Sequence, residues 1–217
     1  MARPLTSTFV VQAVKNEYAG GMGRTRGFDE ATVLETIRGR FWAQGYEGTS
    51  TYDLMDATGL GKGSIYKAFG NKHELYLRTF SDYCDELVAG AELALGGTEG
   101  DSPRARISEF LVGLAHEFGA ESPRRGCFLT KATVDLAGFD SSVAEVAKRA
   151  FERIAGAFAS AVRDAQAAGE VDPDADAETL GYLMLTVIRG IDTIARSGLD
   201  ESTLVGVAET AVAMLPA

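Results

Sequence analysis

Residues 49–72, which read TSTYDLMDATGLGKGSIYKAFGNK, constrain the fold more than any other stretch of the chain. Their first part predicts a short helix from about Ser50 to Thr58, with Thr49 or Ser50 as its side-chain cap. Gly59 suits the left-handed residue that ends such a helix. A second helix follows after a turn of about three residues, so the stretch predicts a helix pair.

The second helix of the pair begins at Gly61 or Lys62 and ends at Phe69. Ile65 and Phe69 are four residues apart and therefore face inward together. The remaining surface is small, hydroxylic or basic: Lys62, Gly63, Ser64, Tyr66 and Lys67. Gly63 costs roughly 1 kcal/mol of helix stability relative to alanine, which is easier to understand if this helix must approach DNA closely.

The same stretch resembles the DNA-binding motif of the TetR/AcrR family of transcriptional regulators. The matching residues are Thr49, Leu54, Gly59-Leu60, Lys62-Gly63-Ser64-Ile65-Tyr66, Phe69 and Lys72. The resemblance implies phosphate contacts from Thr49, Tyr66 and Lys72. It implies groove contacts from Lys62, Gly63, Ser64 and Lys67, and we include Ser50 in the DNA-binding set.

Several positions depart from the family pattern. Gly61 stands where the family has a capping serine or threonine, so the second helix lacks a side-chain cap. Met55 and Thr58 replace alanines, and Ala68 replaces an aromatic residue or histidine. An ordinary pair of packed helices without DNA binding is the alternative that spacing alone leaves open.

The charge of the chain is unevenly distributed. The formal net charge is −10, yet residues 1–80 hold 10 Lys/Arg and 8 Asp/Glu, a net +2, and the remainder holds 11 and 23, a net −12. DNA binding needs only a local positive patch, because charges are screened within about 10 Å at moderate salt. The acidic second part is therefore compatible with a DNA-binding first part.

The composition is that of a globular protein with a full-sized core. The chain has 217 residues, of which 46% are hydrophobic and 24% charged, and no run approaches the roughly 20 apolar residues of a membrane span. Cys84 and Cys127 lack metal-ligand spacing. We see no export signal and expect a cytoplasmic protein with reduced thiols, no metal, no cofactor and no catalytic residues.

The chain divides into three parts. Residues 1–23 form an N-terminal extension that we expect to be flexible. Arg24 and Arg26 follow it, and they form either a basic arm that reaches a minor groove or a solvated tail. Residues 24–85 form a three-helix DNA-binding domain, with the helix-turn-helix at 50–69. Residues 86–217 form a second helical domain, so the predicted class is all-α.

Helix signals continue through the chain. We expect helices from Asp29 to about Gln44, from Lys72 to about Leu95, and from Ser102-Pro103 to about 119. Ser122-Pro123 begins a helix that contains Gly126 and Cys127 and ends near Leu136. Later helices run from 141 or 142 to 168, from 177 to 196 and from 201 to 214.

The last two of these helices carry wide apolar stripes. Placed side by side, they expose more apolar surface than one neighbour covers, which predicts a homodimer formed through them; core packing is the alternative. The family resemblance also implies a small-molecule site in the second domain. Its candidate lining residues are Leu111, Leu114, Phe118, Cys127, Phe128, Phe151 and Tyr182, each of which core packing would also explain.

Cys127 follows Arg124, Arg125 and Gly126 near a predicted helix start. Positive charge there favours a thiolate that senses electrophiles, whereas the following Phe128 favours a buried packing position, and the packing interpretation is the stronger.

The functional prediction is a homodimeric regulator, most often a repressor in this family, that binds a near-palindromic operator in double-stranded DNA and is released by a small molecule. A helical ligand-binding or interaction protein without DNA binding is the alternative.

Overall fold

The computed structural model describes residues 28–97, 102–120 and 125–217. The predicted extension at 1–23, the basic arm at Arg24 and Arg26, and the predicted helix start at Ser122-Pro123 lie outside these ranges. Within them the chain is all-helical, which confirms the predicted fold class. None of the helices in these ranges has both the length and the apolarity needed to cross a membrane.

The described residues form nine helices. They are α1 (Glu30–Gly48), α2 (Thr51–Thr58), α3 (Lys62–Phe69), α4 (Lys72–Leu95), α5 (Pro103–Ala120), α6 (Phe128–Leu136), α7 (Ser141–Ala167), α8 (Ala177–Ala195) and α9 (Glu201–Ala213).

Local side-chain chemistry caps several of the helix starts. Asp29 caps α1 as predicted, since its carboxylate accepts a hydrogen bond from the backbone N–H of Ala31 at 3.2 Å. Asp176 and Asp200 cap α8 and α9 in the same way. Gly45 interrupts α1 with φ 76° and ψ 173°, so the regular helix ends at Gln44 as the sequence predicts.

The chain forms two compact units. The described part of one comprises residues 28–85 and Cys127–Ala147, and the other comprises the described part of Glu86–Gly126 together with Lys148–Ala217. The first unit therefore holds α1, α2, α3 and α6, whereas the sequence assigned α6 to the second domain. Within the described residues, two of the three boundaries between the units fall inside α4 and α7, and the third lies between Gly126 and Cys127, just before α6.

Aromatic packing explains why α6 belongs to the first unit. The Phe128 ring is fully buried and lies 5.4–6.2 Å, centroid to centroid, from four aromatic rings on α1 and α4. These rings belong to Trp42, Tyr76, Phe80 and Tyr83. Burial also raises the pKa of the Tyr76 hydroxyl, so that side chain stays neutral at every physiological pH.

The predicted start of α6 is wrong. Gly126 has φ 67°, which excludes it from a helix, and Cys127 is the N-cap residue of a helix that begins only at Phe128. A side chain added at Gly126 would lie 2.6 Å from Cδ of Arg196. This close approach involves a residue 70 positions away in the sequence, which local helix signals do not report.

The second unit has its own helical core. Helix α5 packs against both α8 and α9, which also contact each other. Leu111, Ile188 and Leu204 are buried there. The Arg104 guanidinium donates hydrogen bonds to the backbone carbonyls of Glu170, Val212 and Leu215 at 2.8–3.2 Å, which ties the end of the chain to the start of α5.

Removing the Phe128 ring is expected to cost the protein much of its stability. A Phe128→Ala change empties a fully buried site among aromatic rings, and such changes cost about 3–5 kcal/mol of unfolding free energy. Val134→Ala on the same helix is the matched control, because that side chain is 77% exposed. Urea denaturation followed by circular dichroism measures both. Equal stabilities for the two variants would contradict the core role of Phe128.

Candidate nucleic-acid interface

Helix α2 begins with a reciprocal cap. Asp53 N–H donates to the Ser50 side-chain oxygen at 3.2 Å, and the Ser50 backbone N–H donates to the Asp53 carboxylate at 2.7 Å. These hydrogen bonds lower the pKa of Asp53, the larger effect coming from the Ser50 side chain. Of the two predicted caps, Ser50 is therefore the one that the structure uses.

The turn after α2 has the predicted geometry. Gly59 has φ 67°, and its N–H donates to the Met55 carbonyl at 2.9 Å, which ends the helix. Gly61 is the N-cap residue of α3 and provides no side-chain hydrogen bond. The turn thus brings the chain from α2 into α3 within three residues, 59–61.

The inner face of the pair is apolar and closed to solvent. Leu54 on α2 and Ile65 on α3 are fully buried, and Phe69 is 6% exposed. A helix of eight residues is too short to be stable alone in water. The packing of these inner side chains therefore stabilises α3.

The outer face of α3 is polar and open. Lys62, Gly63, Ser64 and Lys67 are all exposed, and α3 contains no acidic residue. A Cβ added at Gly63 would meet no atom within 4 Å. Packing inside the protein therefore gives no reason for glycine at this position.

Tyr66 joins the outer face of α3 to the start of α2. Its hydroxyl lies 2.6 Å from Oγ1 of Thr51, and Nζ of Lys62 lies 5.7 Å from the centre of its ring. The tyrosine is half-buried, and its orientation is fixed by these two contacts.

Thr49 does not lie on the outer face. Its side chain is fully buried, and its hydroxyl donates to the Gly45 carbonyl at 2.7 Å. The hydroxyl proton is already donated to a backbone carbonyl at the point where α1 is interrupted, so it is not available to a phosphate. We therefore leave Thr49 out of the candidate interface.

Lys72 lies in the first turn of α4, where the Asn71 side chain accepts hydrogen bonds from the N–H groups of His73 and Glu74. Its ammonium group is 4.2 Å from the centre of the Tyr46 ring. This is a cation–π contact, which leaves the ammonium hydrogens available to other acceptors.

Sequence reasoning missed Tyr52. This residue is in the first turn of α2, and its side chain is 79% exposed. It follows Thr51 and precedes the buried Leu54 by two positions, which places it on the opposite side of the helix. A helical projection of α2 would have identified it as a large aromatic on the polar face.

The predicted ligand-binding residues are divided between the two units. Five lie in the second unit, on α5, α7 and α8: Leu111, Leu114, Phe118, Phe151 and Tyr182. Leu111 is fully buried and Tyr182 is 48% exposed.

The other two predicted ligand-binding residues, Cys127 and Phe128, lie in the first unit. The Cys127 thiol is buried and receives a hydrogen bond from the Tyr83 hydroxyl at 3.4 Å. This environment favours the packing interpretation of Cys127 over a reactive thiol.

Two family models match the chain. Residues 33–79 match the model of bacterial regulatory proteins of the tetR family, and residues 104–211 match the model of a tetracyclin repressor-like C-terminal domain.

Two curated relatives align over most of their lengths. The HTH-type transcriptional repressor ComR of Escherichia coli K12 is 27% identical over 89% of this chain and 92% of its own length. The uncharacterized HTH-type transcriptional regulator YezE of Bacillus subtilis 168 is 26% identical over 84% of this chain and 94% of its own length.

Solved structures show the same fold. A cysteine-substituted form of the TetR family regulator CifR, complexed with 26-base-pair operator DNA, superposes with a TM-score of 0.77 at 27% identity, covering 89% of this chain and 100% of that chain. A TetR transcriptional regulator from Chloroflexus aurantiacus gives 0.74 at 23% identity, covering 84% of this chain and 91% of that chain, a likeness of fold alone.

Proposed function

Since the chain belongs to the TetR family of transcriptional regulators, we propose that it is a homodimeric repressor whose α3 reads a near-palindromic operator. DNA-binding regulation is its function. The observation that supports α3 as the DNA-reading helix is the chemistry of its outer face. That face has two lysines, a serine and a glycine with open space above it. In such helix pairs the second helix enters the major groove.

The proposed contacts divide by chemistry. Lys62, Ser64 and Lys67 are exposed on α3 and can reach base edges, which carry the donor and acceptor pattern of the major groove. Ser50, Tyr66 and Lys72 lie at helix starts or beside them and suit phosphate oxygens. Gly63 allows the helix backbone to approach the DNA.

The proposed dimer is supported by apolar side chains exposed on the last two helices. On α8 they are Tyr182, Leu183 and Ile194, on α9 there is Val207, and Met214 follows directly after α9, with exposures between 37% and 71%. A twofold dimer would present two copies of α3 to successive major grooves about 34 Å apart. A repeated, near-palindromic operator follows from that symmetry.

The proposed effector is a small molecule held by the second unit. Helices α5 and α7 meet there through Phe110 and Phe158, whose ring centres are 5.6 Å apart. Phe118 and Phe151 on the same two helices are half-buried, so we propose that they line the effector site. To shift the protein from 1:99 to 99:1 the effector must favour the non-binding state by about 5.5 kcal/mol. Equal binding to the free and the DNA-bound protein would contradict this role.

We place the protein in the cytoplasm, where its proposed DNA partner is.

A Gly63→Ala change is expected to separate folding from DNA binding. Alanine fits without a clash and should raise the unfolding free energy by up to about 1 kcal/mol, because glycine is the poorer helix former. The added methyl group should weaken operator binding by about tenfold or more if α3 packs against DNA. Thermal denaturation and gel shift measure the two effects.

Gly39→Ala on α1 is the matched control for Gly63→Ala. A Cβ at Gly39 also meets nothing within 4 Å, so this change should stabilise the protein and leave operator binding unchanged. Undiminished binding by the Gly63→Ala protein would remove Gly63 from the interface.

Lys72→Ala is expected to weaken binding to all duplexes alike. Each phosphate that the protein neutralises contributes about 0.9 to the slope of log affinity against log salt, so the slope should flatten by about that amount. Lys148→Ala is the control, because that lysine is exposed in the second unit. Titration of a fluorescent duplex at several salt concentrations gives the slope, and an unchanged slope would rule out the phosphate contact.

Leu183→Glu is expected to weaken the dimer by about tenfold or more, since central interface residues contribute ~2 kcal/mol each. Leu93→Glu, at a leucine that is 65% exposed on α4, should leave the dimer intact. Analytical ultracentrifugation at micromolar concentrations distinguishes the two. A monomeric native protein would disprove the proposed assembly.

A further inference from the structure

Tyr52 is a largely exposed aromatic residue in the first turn of α2. Its side chain is 79% exposed, whereas Leu54, about 200° further round the same helix, is fully buried. A tyrosine combines a large apolar ring with a hydroxyl donor, which makes it suited to surfaces that are partly apolar and partly polar.

The position of Tyr52 is fixed by its neighbour. Thr51 pairs with the Tyr66 hydroxyl at 2.6 Å, so the first turn of α2 lies beside the second turn of α3. Tyr66 in turn has Nζ of Lys62 at 5.7 Å from its ring centre. Tyr52 therefore stands at the edge of the proposed DNA-facing surface, next to residues that belong to it.

The start of α2 offers a phosphate fewer donors than the sequence predicts, because the Thr49 hydroxyl already has a backbone partner. Thr49 is buried and hydrogen-bonded to Gly45, and the Asp53 carboxylate occupies the end of the helix by accepting the Ser50 N–H. That negative charge opposes the direct approach of a phosphate to the free N–H groups. A long neutral phenol in the same turn can reach a phosphate without bringing it to the carboxylate.

We propose that the Tyr52 hydroxyl donates a hydrogen bond to a phosphate oxygen of the operator, with its ring against the adjoining deoxyribose. This inference rests on the proposed function, because it requires that α3 enters a major groove. The helix that precedes the recognition helix then crosses the DNA backbone, where tyrosine hydroxyls are regular phosphate donors.

Tyr52→Phe tests the proposal, since it removes the hydroxyl and retains the ring. We expect about a tenfold loss of affinity, equal for a duplex that the wild-type protein selects from a random-sequence pool and for an unrelated duplex. The slope of log affinity against log salt should not change, because a neutral donor releases no counterions. This distinguishes the hydroxyl from Lys72, whose removal flattens the slope.

Phe139→Ala is the matched control, because that ring is 94% exposed in the same unit and should not affect binding. If Tyr52→Phe binds as tightly as wild type, the proposal is wrong and the proposed function stands. If Tyr52→Phe binds normally but Tyr52→Ala changes the selected sequence, the ring reads a base and the phosphate contact is refuted. If the wild-type protein selects no duplex, the proposed function fails and this inference fails with it.

Discussion

The first unit depends on a cluster of aromatic rings contributed by α1, α4 and α6. Phe41 meets Tyr76 edge to face with 5.0 Å between ring centres, and Tyr76 in turn lies 5.7 Å from Phe128. Aromatic pairs of this kind contribute beyond the area they bury and prefer particular angles. The cluster therefore fixes the orientation of α1 and α4, the helices that precede and follow the helix-turn-helix.

Further side-chain contacts join α1 and α4 where these helices flank the helix-turn-helix. The Tyr46 ring packs against Phe41 and Tyr76, and the Lys72 ammonium lies 4.2 Å from its centre. His73, next to Lys72, pairs with the Asp140 carboxylate at 2.6 Å. Burial raises the pKa of Asp140, but the hydrogen bonds from His73 and from the start of α7 outweigh it and lower the pKa overall. The same carboxylate thus connects α4 to the first turn of α7.

The features that the sequence predicted are those with local causes. The cap at Ser50, the left-handed Gly59 and the inward pair Ile65 and Phe69 all follow from residues within a few positions of each other. The motif also identifies the family, because it combines several such signals at fixed spacing. The exposed set on α3 could be predicted for the same reason, since a helix of known register has a known outer face.

The features that the sequence did not predict depend on distant residues. Gly126 lies outside α6 with a positive φ, and a side chain there would meet the distant Arg196. Helix α6 belongs to the first unit because Phe128 packs against rings of α1 and α4. Thr49 is buried because the chain turns at Gly45, so its hydroxyl has a backbone partner that the motif does not reveal. Tyr52 is different, because its place on the polar face of α2 follows from local helix geometry and was overlooked.

The bond between Thr51 and Tyr66 has a consequence for local order. Helix α3 has eight residues, no side-chain cap and an internal glycine, so little of its stability is its own. Most of its stability must therefore come from packing against its neighbours, and we expect it to open at a lower free energy than the aromatic core. A surface that fits α3 restores the lost stability by holding the helix in place, and one that does not fit leaves it free to unwind. Under the role proposed for α3, this ordering would contribute to how the protein discriminates between duplexes.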